Sequence, residues 1–598
     1  MATSKSVFPL AALIAFGARP SIAAAPESAV ATDTRSTCKA VPEFEAGEPR
    51  RNLCEPFVVP EMAVLDLEDD WVPAVFSEER PALPQPYRAT FVALANERAK
   101  AGQGGELAGS DRYYELFGIF PSLSVVRRRL LDEPRHACHA AIDDQALRAV
   151  TTAGRLKVYP ALAGASRSPA LFVAQAHLRC DGMLADRPSS DGLWDDATRD
   201  AVALYQRRHM LPLSVALDPE TRETFLTPSR ELDFRTLLRV LRERVVDATG
   251  LIEDGSAQNA WEPVLGRFID SAEYRRPLRP TPLEGGAPDL IARATAAAAQ
   301  ALGWTSPEAA RERIANGILG RVAVRLPPGP VYHGPAMQLR VEIDRGDVWT
   351  SYPLDAEGSP RRSPAKNRPT LTLVAQTDGG DVPLVRWPTT IGSWKPEKMG
   401  EEPETLRYKA SPVGRFYWRD LVAAPAWFPP PTTPDRELVR RRPGGGWTAD
   451  QLGVGPGYRS AYGLIALLHH RAVTTSGGAM AFGDVEIRTH GSGSYRSILS
   501  GSSHGCHRLF NHLALRLGSF LLAHHENIRR GAVNQRYERT IEWRGERFRL
   551  RAASRGYRFE LDPPIPVDVL PGRAVHSRAP RRPPPADEPK AVGDRPSV

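Results

Sequence analysis

The chain has 598 residues, with 78 Lys and Arg against 70 Asp and Glu, a formal charge of +8. At about 150 residues per domain this length predicts three or four domains, and 42% hydrophobic with 25% charged residues excludes wholesale disorder. The 55 prolines predict long loops and linkers between domains, and the interleaved charges, with no zinc-finger spacing, RNA-binding signature or leucine heptad, argue against a nucleic-acid partner.

Lys5, the largely apolar run Val7 to Gly17 and Ala23-Ala24-Ala25 before Pro26 give a charged start, a short apolar core and a small-residue cleavage site. Residues 1–25 therefore read as a secretory signal peptide, since Arg19 and Pro20 suit a buried N-terminal helix poorly. No other segment reaches about 18 uninterrupted apolar residues, so no transmembrane segment is expected. The expected location is the periplasm or cell wall. Five cysteines in an exported chain leave one unpaired. Cys38 with Cys54 and Cys138 with Cys180 pair by proximity in sequence, or all four are small buried hydrophobes. Cys506 remains.

Residues 26–165 form an N-terminal region of unknown role, patternless to about 110 and then helical. Leu123, Val126, Leu130 and Leu131 fall at i, i+3, i+7 and i+8. Residues 166–228 read as a small helical bundle: Leu171, Ala174-Gln175 and Leu178 begin a helix, Asp191-Gly192 turns, and Thr198, Ala201-Val202, Tyr205-Gln206 and Asp218-Pro219 follow. Residues 229–320 are helical, with an apolar stripe at Phe234, Leu237, Leu238, Leu241 and Val245, and Ser306-Pro307-Glu308 as a helix start. From 321 the period changes to that of strands. Residues 321–369 read as a strand-rich connector, 370–570 as a mostly-β domain and 571–598 as a disordered basic tail. The fold class is multidomain α+β. The insert Ala424 to Tyr458, rich in Pro and Gly yet carrying Trp427, Phe428 and Trp447, reads as a mobile lid or as a surface excursion with its aromatics clustered locally. His469-His470 and His524-His525 read as surface pairs.

His490 closes the strand-like Ile487-Arg488-Thr489-His490 at Gly491, and Cys506 follows in Ser503-His504-Gly505-Cys506-His507-Arg508. A cysteine nucleophile needs a thiolate, which a nearby histidine generates by taking the proton and later returning it to a leaving group. Gly505 lets backbone N–H groups approach a developing oxyanion. A helix from Asn511, bearing Leu513, Leu515, Leu517, Phe520 and Leu521, is expected to aim its positive dipole end at the thiol. A zinc site from His490, His504, Cys506 and His507 is the rival, but its spacing does not match common zinc sites.

His490-Gly491, the twelve positions 491–502, Ser503-His504-Gly505-Cys506-His507-Arg508 and Asn511 resemble the L,D-transpeptidase family, cysteine acyltransferases of bacterial peptidoglycan. Ser411-Pro412-Val413-Gly414-Arg415-Phe416 and Tyr462-Gly463-Leu464-Ile465 resemble further family segments in the right order. Two positions depart from the pattern, His507 for an aliphatic residue and Ser492 for Thr, and both are expected to affect substrate fit. The resemblance implies Cys506 as nucleophile and His490 as proton donor and acceptor. It implies N–H groups around Gly505 and Cys506 as oxyanion hole, Ser503, His504 and Gly491 in support, and Arg508 ordering the loop or meeting a substrate carboxylate. No cofactor or metal is implied. The partners would be donor and acceptor stem peptides, joined 3–3 through a thioester. Water as acceptor would give a carboxypeptidase or amidase, and a dead site would leave a wall-binding scaffold. Residues 166–228 likewise resemble the peptidoglycan-binding domain family.

Overall fold

The computed structural model of the protein describes residues 39–55, 61–68, 71–76, 121–150, 167–186, 191–261 and 281–576, apart from 213, 318–319, 362, 401–402 and 442–445. The signal-peptide stretch, Cys38 and residues 577–598 lie outside the described residues. The apparently patternless N-terminal region supplies β1 (Lys39–Glu45), β2 (Glu48–Glu55) and β3 (Met62–Asp66), which join β4 (Arg321–Arg325) in the order β2-β1-β4-β3. A register shift at Glu43/Phe44 breaks the alternation along β1, which is why its period of two is hidden in the sequence.

The predicted stripe at 123–131 forms α1 (Leu123–Leu130), with Leu123, Val126 and Leu130 buried. α2 (Glu133–Ala140) follows, N-capped by Asp132. The bundle comprises α3 (Pro169–Cys180), α4 (Asp196–Arg208) and α5 (Pro219–Phe225). Two buried glutamines staple it. Gln175 donates to Leu193 O and Thr198 Oγ1 and accepts from Gly192 N, while Gln206 donates to Thr221 Oγ1 and Ala216 O and accepts from Val215 N. The Gln, Thr and Asp-Gly signals of this stretch are therefore spent on internal hydrogen bonds. Cys138–Cys180 is a disulfide that fastens α2 to α3, and Cys54 is also disulfide-bonded. A bridge spanning 42 residues constrains the unfolded chain by roughly 3–4 kcal/mol. The double variant C138A/C180A is accordingly expected to unfold at lower urea, with a stability deficit of about that size.

α6 (Ser229–Thr249), ended by left-handed Gly250, α7 (Leu290–Ala301) and α8 (Pro307–Ala315) complete the helical layer. Ser306 caps α8 by accepting from Ala309 N, as its sequence predicts.

The remainder is mainly strands: β5 (Gln338–Asp344), β6 (Asp347–Trp349), β7 (Thr370–Thr377), β8 (Gly380–Pro388), β9 (Gly392–Glu397), β10 (Thr405–Ala410) and β11 (Gly414–Ala423). Then come β12 (Val439–Arg441), β13 (Trp447–Ala449), β14 (Ile465–Thr474), β15 (Met480–Ser492), α9 (Tyr495–Ser500), β16 (His507–Phe510) and α10 (Asn511–His524). The chain continues through β17 (Asn527–Ala532), β18 (Tyr537–Trp543), β19 (Glu546–Ala552), β20 (Tyr557–Val569) and β21 (Arg573–Val575). Nine strands make one sheet in the order β16-β15-β14-β11-β20-β5-β7-β8, with β17 also on β20. The sheet thus reaches back to 338, into the stretch read as a connector. The tail is likewise not irregular from 571, because β21 pairs in parallel with β6.

Three expectations are corrected here. Pro-rich linkers do not separate the helical layer from the sheet. Leu237, Leu241, Ile291 and Trp304 of the former share one buried cluster with Trp387, Leu467, Leu513 and Phe559 of the latter. Nor do the aromatics of the 424–458 insert cluster only locally: Leu438, Val439 and Val454 pack with Ile541 and Leu550 of the β18–β19 hairpin, with Trp427, Trp447 and Trp543 against them. Arg539 clamps the insert by donating to Pro430 O, Thr433 O and Asp435 Oδ1. The aromatics find their cover in a hairpin about a hundred residues further on, a partner that no local pattern reveals. Finally, the two histidine pairs are not at the surface: His469, His470 and His525 are buried.

Candidate active site

The site lies at the β15–β16 edge of the large sheet. β15 and β16 run parallel, with Thr489 opposite His507 and His490 opposite Arg508. Side chains alternate along strands, so Arg488 and His490 face one side with Cys506 and Arg508, while Thr489 and His507 face the other. The contacts on the second side agree. The His507 ring lies 5.2 Å from that of His469, and His469 Nε2 meets Trp418 Nε1 at 3.0 Å and Thr489 Oγ1 at 2.9 Å. His507 is therefore a core residue, 0% exposed, with Nδ1 at 2.9 Å from Thr390 O. Its departure from the family pattern is a matter of packing beneath the strand, not of substrate fit. Ser492, buried, accepts from Ser494 N in the turn to α9. With His507 turned away from Cys506, the four proposed zinc ligands cannot converge. No group of three or more potential ligands among the described residues is placed to hold a metal ion.

Hydroxyl groups hold the cysteine loop. Ser503 Oγ and Thr390 Oγ1 each donate to Cys506 O at 2.7 Å, and they accept from Gly505 N and Arg508 N respectively. Ser411 Oγ lies 2.7 Å from Gly505 O, which gives the Ser411-Pro412 segment a physical role in the site. Gly505 has φ +110°, a conformation that favours glycine. Asn511, fully buried, accepts from Leu464 N and donates to Tyr458 O. A Cβ on Gly491 would come 2.3 Å from Asn511 Oδ1, so glycine is what allows that side chain to sit there. His504, by contrast, makes no side-chain hydrogen bond among the described residues; its ring borders the cations Lys395, Arg508 and Lys409.

Cys506 is partly exposed and is the free cysteine of the described residues. Burial of the sulfur pushes its thiol above the usual range, opposed by a backbone hydrogen bond from Arg488 and by the charges of Arg488 and Arg508. The helix dipole does not reach it, because the four residues of β16 separate Cys506 from the start of α10. His490 is 2% exposed, and burial, then the nearby Arg508, holds its pKa down to about 3. Its Nδ1 lies 2.7 Å from Gly491 O, so a neutral ring carries its proton there and leaves Nε2 with a lone pair. No hydrogen bond joins His490 to Cys506 Sγ in this structure. Resting thiol and imidazole are both neutral.

Two groups at this face were not singled out from sequence. The Tyr462 ring packs edge-on to His490 with centroids 5.0 Å apart, and burial raises its hydroxyl pKa, keeping it a donor. Arg488 is pinned by a bidentate pair with Asp484 at 2.6 and 2.7 Å. The signal for Arg488 was available in its position two residues before His490 on one strand. Tyr462 precedes β14 in an irregular segment, where no periodicity gives its direction.

No helix of the described residues is long and apolar enough to cross a membrane. A comparison with curated proteins finds no match. Residues 366–526 match the model of the YkuD family, described as the L,D-transpeptidase catalytic domain, whose members are cysteine-dependent acyltransferases and peptidases acting on peptidoglycan, and the chain carries that domain.

Proposed function

We propose that the chain is an exported peptidoglycan L,D-transpeptidase that joins stem peptides by 3–3 cross-links, with Cys506 as nucleophile and His490 as its proton acceptor. The observation that carries this reading is a free cysteine and a tautomer-fixed histidine on one face of two paired strands, within the matched region. Substrate entry brings the scissile amide to Sγ. His490 Nε2 takes the thiol proton as the S–C bond forms, then returns it to the leaving amine as the C–N bond breaks. That leaves a thioester, which the amine of a second stem resolves. Because Gly505 N–H is engaged by Ser503 Oγ, the oxyanion falls to other donors, the N–H of Cys506 being adjacent. Residues 166–228 would hold the enzyme to the wall. Mass analysis of products from purified tetrapeptide stems tests the reading. Cross-linked dimer with loss of the terminal residue is expected, whereas stem shortened without dimer would make it a carboxypeptidase.

The two perturbed groups set a pH signature. A thiol raised above its usual range is neutral through pH 8, and the thiolate fraction grows about tenfold per pH unit below its pKa. Alkylation of Cys506 by iodoacetamide should therefore climb steadily from pH 6 to 9. No inflection is expected near 6.5, since His490 stays neutral across that range. A plateau beginning at pH 6–7 would instead mark a preformed thiolate–imidazolium pair. Chelators are expected to leave activity intact.

A further inference from the structure

The β9–β10 hairpin forms a wall beside the cysteine loop. Ser393 Oγ on β9 lies 2.7 Å from Ser502 Oγ and donates to Ser503 O at 3.2 Å, so the Ser393 face of the hairpin looks onto the loop. Lys395 and Glu397 share that face by alternation, and Lys409 and Arg407 share it because they pair with Ser393 and Lys395 across the strands. Lys409 and Glu397 neutralise each other at 2.5 Å. Lys395 is left without a carboxylate within 4.0 Å among the described residues, although it is half-buried. The charges nearest to it are Arg508 and, from the insert, Glu437. Arg508 has no carboxylate within 4.0 Å either; its one side-chain hydrogen bond among the described residues goes to Ser497 Oγ.

Two cations, one on the strand that follows the nucleophile and one on the facing hairpin, thus share a single acid beyond ion-pair distance, Glu437, and the positive charge left over is costly in a cleft unless a substrate anion pairs with it. Arg508 is two residues beyond Cys506 on the same face, about 6–7 Å along an extended strand. In a peptide cleaved one residue from its end, the terminal carboxylate lies within one residue's length, about 3.5 Å, of the scissile carbonyl. Such a carboxylate therefore falls within reach of Arg508 when the carbonyl sits at Sγ, and Lys395 is the cation that acts on Arg508 from the hairpin.

We propose that Lys395, together with Arg508, is the receptor for the terminal α-carboxylate of the acyl-donor peptide, so that Lys395 sets the preference for a donor with a free C-terminus. This rests on the acyl-transfer reading above. It is tested with the full chain and two synthetic tetrapeptide stems, one ending in a free carboxylate and one in a carboxamide. A charge-assisted hydrogen bond predicts that wild type favours the free acid by roughly 10–100-fold in kcat/KM. K395Q should lose most of that preference, chiefly through KM, while K395R retains it. K398Q, on the exposed residue beyond β9, should match wild type, and far-ultraviolet circular dichroism checks that each variant is folded. Wild type using both peptides equally, or K395Q keeping the full preference, overturns the receptor and leaves the transpeptidase reading intact. Turnover of neither peptide by a wild-type protein whose Cys506 still labels overturns both.

Discussion

Replacing Cys506 with alanine is expected to remove acyl transfer by more than about 10³-fold while leaving the thermal unfolding midpoint unchanged. The loop does not depend on the sulfur for its shape. Its fixed point is the Cys506 carbonyl, which takes two hydrogen bonds from Ser503 and Thr390, and both survive the substitution. What is lost is the atom that forms the acyl bond. Replacing His490 with alanine should cost on the order of 10²–10⁴, the range for a general base. The double variant should be no worse than C506A, because a base has nothing to activate once the thiol is gone. Stem-peptide turnover measured on the three proteins decides the matter. Normal product from C506A would sink the assignment of the nucleophile.

The same residues show where sequence was sufficient. Cys506, His490 and the loop glycine could be named because the chemistry needs those residue types at short separations, and two adjacent parallel strands bring them to one face. Ser411 and Asn511 were quoted as motif members, but only the fold explains them, as holders of Gly505 O and of the Tyr458–Leu464 turn. Lys395 was invisible because nothing in β9 marks it; its meaning comes from the pairing of β9 with β10 and from the anchoring of Ser393 to the loop. His469 illustrates the opposite failure. Two adjacent histidines suggest a solvated pair, yet the first accepts from Trp418 beneath the sheet and the second meets Asp420 at 3.2 Å. The helices from 123 to 315 were legible because apolar stripes and caps are local. What hid the continuous core was that it joins α6 to α10, nearly three hundred residues apart in sequence.

That junction carries a large predicted effect on stability. Arg516 on α10 and Glu243 on α6 form a buried pair, 3% and 6% exposed, with Arg516 Nε donating to Glu243 Oε2 at 3.2 Å and Nη2 bonded to Oε1. The pair sits between the helical layer and the helix that follows the cysteine strand. Glu243→Ala breaks a buried ion pair and removes the carboxylate that meets Arg516 Nε and Nη2, so a loss of about 3–5 kcal/mol is expected. Glu243→Gln keeps volume and one acceptor but still removes the charge, and should fall in between. The informative variant is the double replacement E243L/R516M. If the cost of E243A comes from breaking the pair on one side only, two apolar side chains of similar volume should recover most of the stability, since ion pairs in such places are often exchanged for apolar packing with little loss. Urea unfolding of the four proteins, followed by far-ultraviolet circular dichroism and by iodoacetamide labelling of Cys506, measures both consequences. If the junction couples the helical layer to the site, E243A should label faster at urea concentrations where wild type still protects the thiol. Equal labelling in E243A and wild type at every urea concentration would mean that this ion pair holds the two layers no more tightly than their shared apolar core already does.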